Sequence, residues 1–228
     1  MKKIKLFALL LFLNSLIINA QQIPIKFQEN YKVGYKDQTG KIIVEAIYDA
    51  GSDFKDGVAL VIKDHKRGFI NTKGKIILPL IYDDASLFFY ELARVKQTGK
   101  WGYINQKGET MIDFKFDIAY DFNEGLAKVV INEKTGYINL KGELQIPLEY
   151  NYGYSASDGL IAVYKNKKWG YIDFQNHIVI PFQYDAAYPF KDNYARVIQN
   201  GKGYVIDKKG NILSVFETNP EKREREER

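Results

Sequence analysis

The chain has 228 residues, of which 46% are hydrophobic, with a formal net charge of +5 and no cysteine. The lack of cysteine excludes disulfide bridges, thiolate metal sites and a cysteine nucleophile. The apolar residues suffice for a large core, so the fold needs no covalent staples.

The first twenty residues have the pattern of a secretory signal peptide. Three lysines precede an apolar run from Leu6 to Leu13, and the small residue Ala20 precedes two glutamines. Asn14 interrupts the run, which is shorter than the roughly 20 residues of a membrane-spanning helix. This pattern predicts cleavage after Ala20, export to the periplasm or the extracellular space, and no membrane insertion afterwards.

Cleavage would remove three lysines and lower the formal charge from +5 to +2. An exported, nearly neutral protein is a poor candidate for nucleic-acid binding, which depends on Lys and Arg neutralising many phosphates. At the other end, residues 218–228 finish with EKREREER, a charged sequence typical of a disordered tail. Residues 21–217 are therefore the predicted folded domain.

A 34-residue period runs through this domain. The sequence KWGYINQKGE begins at Lys100, and KWGYIDFQNH begins at Lys168, two periods later. One glycine recurs in every copy but one, where asparagine replaces it, and asparagine is the residue after glycine that best accepts a positive φ. The spacing predicts a repeat architecture with a positive-φ turn in each copy. These turn positions are Gly40, Gly74, Gly108, Gly142, Asn176 and Gly210.

Each period predicts three β-strands and no helix. Segments such as LAKVVI, GYIN and IILPL are short, rich in β-branched and aromatic residues, and bounded by turn residues. We therefore predict an all-β fold of six repeats, each a three-stranded antiparallel meander followed by a linker of about ten residues. Ile25 to Gln28 begins the first repeat, and Ile212 to Phe216 ends the sixth.

A single meander cannot bury its apolar face, so neighbouring repeats must stack. The two possible arrangements are a closed propeller-like ring and an open β-solenoid. Propeller blades usually have four strands, which makes the period short for a ring. An open solenoid needs polar end caps, however, and the outer repeats keep apolar residues such as Ile25 and Phe216. The closed ring is the favoured prediction.

The pattern Trp-Gly-aromatic-Ile-Asn/Asp, with its IPLEYN and IPFQYD continuations, resembles the WG-repeat family over roughly Ile25 to Phe216. Tryptophan survives only at Trp101 and Trp169. In the last copy, either Gly203 is displaced by one residue or Tyr204 replaces the glycine. The resemblance implies a β-rich scaffold, common in bacteria, often exported and generally without assigned chemistry. It places no catalytic residue on this chain.

No catalytic or metal-binding motif emerges from the residues themselves. His65 and His177 lie in predicted hairpin turns and lack a third ligand or an HExxH spacing. Paired carboxylates would suit glycoside hydrolysis, but the aspartates recur in almost every repeat where a strand ends. Hydrogen bonds to the following backbone amides explain that recurrence better. We predict neither enzyme activity nor a cofactor or metal, with a hydrolase as a remote alternative. The aspartates are Asp49, Asp83, Asp117 and Asp185.

Two recurring positions are candidates for partner binding. One is a lysine that would align along one edge, where it would attract acidic polymers or keep hairpins soluble and sheet edges unpaired. The other is a linker position that is serine in the first copies and tyrosine in the last three. Loops carry function more often than strands, although packing between linkers also explains tyrosine there. The favoured residues are Lys100, Lys134, Lys168, Tyr120, Tyr154 and Tyr188, and Tyr152, Phe89 and Tyr90 would extend the tyrosines into an exposed aromatic stripe.

The first hypothesis is a non-catalytic scaffold of the cell envelope or the extracellular space that binds a protein partner through these linker tyrosines, with the lysines as a charged rim. The alternative is a carbohydrate-binding module that stacks an envelope polysaccharide on the same tyrosines. A structural role inside a larger envelope assembly is a further possibility.

Overall fold

A computed structural model of the protein describes residues 23–218. The predicted signal peptide (1–20) lies outside the described residues, as does the predicted tail beyond Thr218. In residues 23–218 every regular element is a β-strand. Accordingly, this part of the chain contains no helix that could cross a membrane. The all-β prediction is confirmed.

The strands form six small antiparallel sheets, in which neighbours in sequence are neighbours in space. The first three sheets contain β1 (Ile25–Glu29), β2 (Lys32–Lys36) and β3 (Ile42–Tyr48); β4 (Ala50–Gly51), β5 (Val58–Lys63), β6 (Lys66–Asn71) and β7 (Ile76–Tyr82); and β8 (Asp84–Ala85), β9 (Ala93–Gln97), β10 (Lys100–Ile104) and β11 (Thr110–Phe116). The last three contain β12 (Ile118–Ala119), β13 (Leu126–Ile131), β14 (Lys134–Asn139) and β15 (Leu144–Tyr150); β16 (Tyr152–Gly153), β17 (Ile161–Lys165), β18 (Lys168–Ile172) and β19 (Ile178–Tyr184); and β20 (Ala186–Ala187), β21 (Tyr194–Gln199), β22 (Lys202–Asp207) and β23 (Ile212–Phe216).

The prediction of three strands per repeat is wrong for five of the six sheets, which have a fourth, two-residue strand. This strand comes from the linker, which was expected to be loop. In the second sheet, Ala50 and Gly51 pair with Ile62 and Val61 of β5. The amide of Ser52 extends the pairing by donating to the carbonyl oxygen of Leu60 at 2.9 Å. The linker thus satisfies its backbone polar groups along the first long strand of the next repeat.

The hairpin after the second long strand has the predicted positive-φ turn. In the fourth repeat the Asn139 Oδ1 accepts hydrogen bonds from the backbone amides of Lys141 and Glu143, at 2.9 and 3.1 Å. This side chain closes the turn, and Gly142 follows with φ 81°. Asn176, the one replacement for glycine, has φ 68°. The substitution therefore preserves the backbone conformation, as predicted.

A second glycine position explains the irregular last repeat. A Cβ added to Gly136 would lie 2.7 Å from a carbonyl oxygen of β15, where β14 and β15 pair through a register shift. Tyr204 pairs with Val197 just as Gly170 pairs with Val163, one period earlier. Tyr204 thus replaces the glycine rather than being displaced. Its side chain does not allow so close an approach, and β22 and β23 pair there without the shift.

Residues 23–218 pack into two compact units: residues 23–99 with 103–110, called here the N-terminal unit, and residues 100–102 with 111–218, the C-terminal unit. Within each unit, consecutive sheets share a core. In the N-terminal unit Tyr35 of the first sheet packs with Val61 of the second. In the C-terminal unit Tyr137 and Ile146 of the fourth sheet pack with Val163 of the fifth. Stacking of repeats, predicted from the unburied face of a single meander, is confirmed within each unit.

Candidate binding surface on the linkers

The linker tyrosines lie at positions where a hydrogen bond fixes the backbone carbonyl but the fold accepts more than one type of side chain. The buried hydroxyl of Tyr137 donates to the carbonyl oxygen of Tyr154 at 2.6 Å, and that of Tyr171 donates to Tyr188 at 2.8 Å. Burial raises the pKa of Tyr137 and Tyr171, so both remain donors. The same bond in the first repeat ends on Ser52, at 2.8 Å. Serine fits this position equally well, so the fold does not require tyrosine there.

Lys128 is the most unusual residue beside these tyrosines. It is only 5% exposed, and its Nζ donates to the carbonyl oxygen of Gly153 at 2.8 Å. The same nitrogen lies 3.8 Å from the ring centroid of Tyr120 and 4.7 Å from that of Tyr152. Within residues 23–218 it forms no ion pair, so aromatic faces take the place of a carboxylate. Burial lowers the pKa of the Lys128 ammonium to about 8.

Further rings extend this site into what we call the aromatic cluster: Tyr120, Tyr152, Tyr154, Tyr164 and Trp169. The ring centroid of Trp169 lies 5.3 Å from those of Tyr154 and Tyr164 and 5.7 Å from that of Tyr152. These are the distances of favourable aromatic pairs. Tyr152 is 45% exposed, whereas Trp169 and Tyr154 are half-buried. The cluster therefore presents one open ring on a packed aromatic base.

The structure brings together two of the three predicted tyrosines, Tyr120 and Tyr154. Tyr188 is 41% exposed and makes no ring contact with the other aromatic residues of the described chain. Sequence reasoning missed Lys128 and Tyr164. The signal for Lys128 was a lysine inside the otherwise apolar strand LAKVVI. Tyr164 carried no such signal.

The predicted lysine rim is largely neutralised by aspartates of the same repeats. Lys100 pairs with Asp117, and the Nζ of Lys168 lies 2.6 Å from Asp185. The hydrogen bond from its lysine is the main cause of the lowered pKa of each aspartate. Asn151 replaces the aspartate in the repeat of Lys134, which has no ion pair in the part of the chain that the structure describes. One free ammonium group thus remains among the three.

These aspartates also support the hairpins. The Oδ2 of Asp117 accepts from the amide of Asn132 at 2.7 Å, and that of Asp185 accepts from Asn200 at 2.7 Å. The predicted structural role stands, but the amides lie fifteen residues further along the chain rather than immediately after the aspartate. Each carboxylate therefore ties the end of a repeat to the first hairpin of the next.

The two histidines lie in exposed turns. The Nδ1 of His177 is 2.9 Å from the Oδ2 of Asp173, and His65 has φ 61°. In residues 23–218 no three His, Asp or Glu side chains are grouped as metal ligands would be.

A family model described as "WG containing repeat" matches residues 34–66, 68–101, 101–134, 136–169 and 169–202. No curated protein matches the chain. One similar solved structure is that of the eukaryotic initiation factor, with 14% identity and a TM-score of 0.53 over 85% of this chain and 62% of that chain. The chain thus spans less than two thirds of the length of that protein.

Two further solved structures are similar at lower TM-scores. Kluyveromyces lactis Hsv2 has 10% identity and a TM-score of 0.46, over 90% of this chain and 74% of that chain. The extracellular domain of the putative one component system BT4673 from B. thetaiotaomicron has 12% identity and a TM-score of 0.42, over 84% and 33%. At such identities a likeness concerns the fold alone. The five family matches cover more than half of the sequence, and the chain belongs to the WG containing repeat family.

Proposed function

We propose that this protein is an exported, non-catalytic scaffold of the bacterial cell envelope or the extracellular space that holds a protein partner on the aromatic cluster. The observation that carries the proposal is the exposed ring of Tyr152 on its packed base of Trp169 and Tyr154. Tyrosine and tryptophan dominate the binding energy of protein interfaces. Tyr154 occupies a linker position that holds serine in the first copies, and the position of Tyr152 holds alanine in two other repeats, so binding is a reason to keep both tyrosines here.

The cluster is also pre-organised. Lys128 contacts both Tyr120 and Tyr152 and is anchored on Gly153. Its ammonium group therefore fixes the two rings before any partner arrives. Binding to a fixed surface loses little side-chain entropy, which leaves more of the contact energy as affinity.

The contacts of two aspartates support a non-catalytic role. The carboxylates of Asp117 and Asp185 are engaged by lysines and by turn amides. A general acid or nucleophile would need a carboxylate free to reach substrate.

For the arrangement of the repeats, we propose a closed propeller-like ring rather than an open solenoid, and the four-stranded sheets support this choice. In a ring, deleting the last repeat from Ala186 onwards should lower the melting temperature of the remainder strongly, whereas a solenoid should lose little.

Carbohydrate binding is the second candidate, favoured by the open face of Tyr152. A sugar ring stacks its C–H face on such a platform, and the half-buried Trp169, which meets Tyr152 at an interplanar angle of 78°, supports that ring from the side. An envelope polysaccharide would then take the place of the protein partner on the same cluster.

The test is capture from an envelope extract on immobilised residues 21–228. The variant is Tyr152→Ala, and the matched control is Tyr194→Ala, which removes a tyrosine that is 51% exposed from the same compact unit. We expect one stoichiometric protein on the native chain and the control, and at least a tenfold loss on Tyr152→Ala. Polysaccharide retained in the same pattern would establish the second candidate. Equal capture by all three would remove the cluster from the binding site.

A further inference from the structure

The linker turn of the N-terminal unit at Phe89–Leu92 departs from the pattern of the other repeats. Four equivalent turns place Asp-Gly, Glu-Gly, Asp-Gly and Asp-Asn at their two central positions. Here those positions hold Tyr90 and Glu91, with φ 51° and 63°. Large side chains rarely adopt this left-handed backbone, which glycine and asparagine accept. The chain thus keeps a strained turn where its own repeats show an easy alternative.

The strained turn displays two aromatic rings beside a cleft of about 440 Å³. Tyr90 is 54% exposed, and Phe89 is 38% exposed. Phe88, the preceding residue, is buried against Phe69 with ring centroids 5.1 Å apart, which anchors the turn from below. The cleft volume lies within the range of small-molecule sites, about 300–1,000 Å³. Backbone strain beside a cleft is characteristic of functional sites.

The aromatic rings and charges around the cleft indicate which class of ligand it can bind. The Nζ of Lys55 lies 4.1 Å from the ring centroid of Phe89 and covers that face, so Tyr90 supplies the open ring. Asp56 and Glu91 line the cleft as well. One ammonium and two carboxylates leave an excess of negative charge, which disfavours phosphates, uronates and other anions.

We propose that this cleft binds a neutral sugar ring of an oligosaccharide or polysaccharide. The C–H face of the sugar stacks on Tyr90. The two carboxylates accept hydrogen bonds from hydroxyl groups, and Lys55 donates one. The amide of Gln106 both donates and accepts. This site is separate from the aromatic cluster and goes beyond the proposed function, since either can fail without the other.

The experiment uses saturation-transfer NMR to measure binding of sugars to the full chain. The neutral probes are maltohexaose, cellohexaose, xylohexaose, mannohexaose and chitohexaose, and polygalacturonate is the acidic comparator. The key variant combines Tyr90→Asp with Glu91→Gly, which restores the Asp-Gly turn of the other repeats. We expect it to lose at least tenfold in affinity for the neutral sugar that binds, while its melting temperature rises by about 2–4 °C as strain is relieved. Tyr90→Phe should retain affinity within about threefold, because the ring does the stacking.

The matched control is Tyr31→Gly. Tyr31 is 91% exposed and has φ 62° in a hairpin turn of the same compact unit, so its replacement also removes a tyrosine and relieves strain. It should raise the melting temperature and leave sugar binding within twofold. The proposal is overturned if no neutral probe binds, if polygalacturonate binds best, if the double variant binds as the native chain does, or if the control loses binding equally.

Discussion

Replacing Lys128 by methionine isolates the buried ammonium group. Methionine has a similar length and keeps the core filled, but it has no charge for the rings of Tyr120 and Tyr152 to attract. The pKa of Lys128 is about 8 in the folded chain, against about 10.4 for an unfolded lysine. Between these values the unfolded chain binds more protons than the folded chain. The contribution of Lys128 to the free energy of unfolding therefore rises as the pH rises from 8.

The size of this rise follows from the pKa difference. One pH unit contributes at most about 1.4 kcal/mol for one proton. Between pH 8 and 9.5 the limit is about 2 kcal/mol, but Gly153 and the two rings stabilise the ammonium form, and we expect about 1 kcal/mol. The window must stop below pH 10. Above it, tyrosines whose pKa burial has raised, such as Tyr137, ionise in the unfolded chain and lower stability.

Guanidinium unfolding at pH 7.5, 8.5 and 9.5, followed by tryptophan fluorescence, measures this effect. The relevant quantity is the difference in free energy of unfolding between the native chain and Lys128→Met, because it cancels contributions common to both. It should grow in favour of the native chain with rising pH. A difference that stays constant or falls would show that Lys128 is not held with a lowered pKa, and the account of its burial would be wrong.

Substitutions at three other positions test the repeat. Gly136→Ala should lower the free energy of unfolding by about 2–3 kcal/mol in denaturant titration, because its Cβ would lie 2.7 Å from the carbonyl oxygen of Ile146; a loss below about 0.5 kcal/mol would contradict the close approach. Tyr137→Phe should cost about 1 kcal/mol in the same titration by removing the hydrogen bond to Tyr154, and no loss would mean that this bond is unimportant. In calorimetry Asp117→Asn should barely change the melting temperature, since its amide oxygen still accepts the hairpin amide, whereas Asp117→Ala should lower it; equal effects would refute the acceptor role.

Much of the fold could be predicted because the same turn and strand residues recur in several copies of the repeat. The turn at Asn176 is an example, since five glycines in the same position defined the backbone that asparagine had to adopt. The fourth strand could not be predicted in this way. Ala50 and Gly51 have no strand propensity of their own, and they pair only because β5 lies beside them in the folded chain.

The candidate site was predicted in part. The linker tyrosines stood out because their position changes from serine to tyrosine along the chain, and the structure joins Tyr120 and Tyr154 through the aromatic cluster. The sequence does not show that Lys128 is buried, because a lysine within an apolar strand is equally compatible with an exposed sheet edge. Its burial depends on the rings of Tyr120 and Tyr152, which belong to different linkers, and neither linker sequence alone shows that the two rings lie close together.

The sequence by itself determined the all-β class, the six repeats and the positive-φ turns. Each of these depends on local steric preferences, and the residues that set those preferences recur every 34 positions. Tertiary structure decided which polar groups find partners. It neutralised Lys100 with Asp117, buried Lys128 between Tyr120 and Tyr152, and left Tyr152 open. These contacts join residues of different strands and linkers. Their energies depend on distance and burial, which exist only once the sheets have packed.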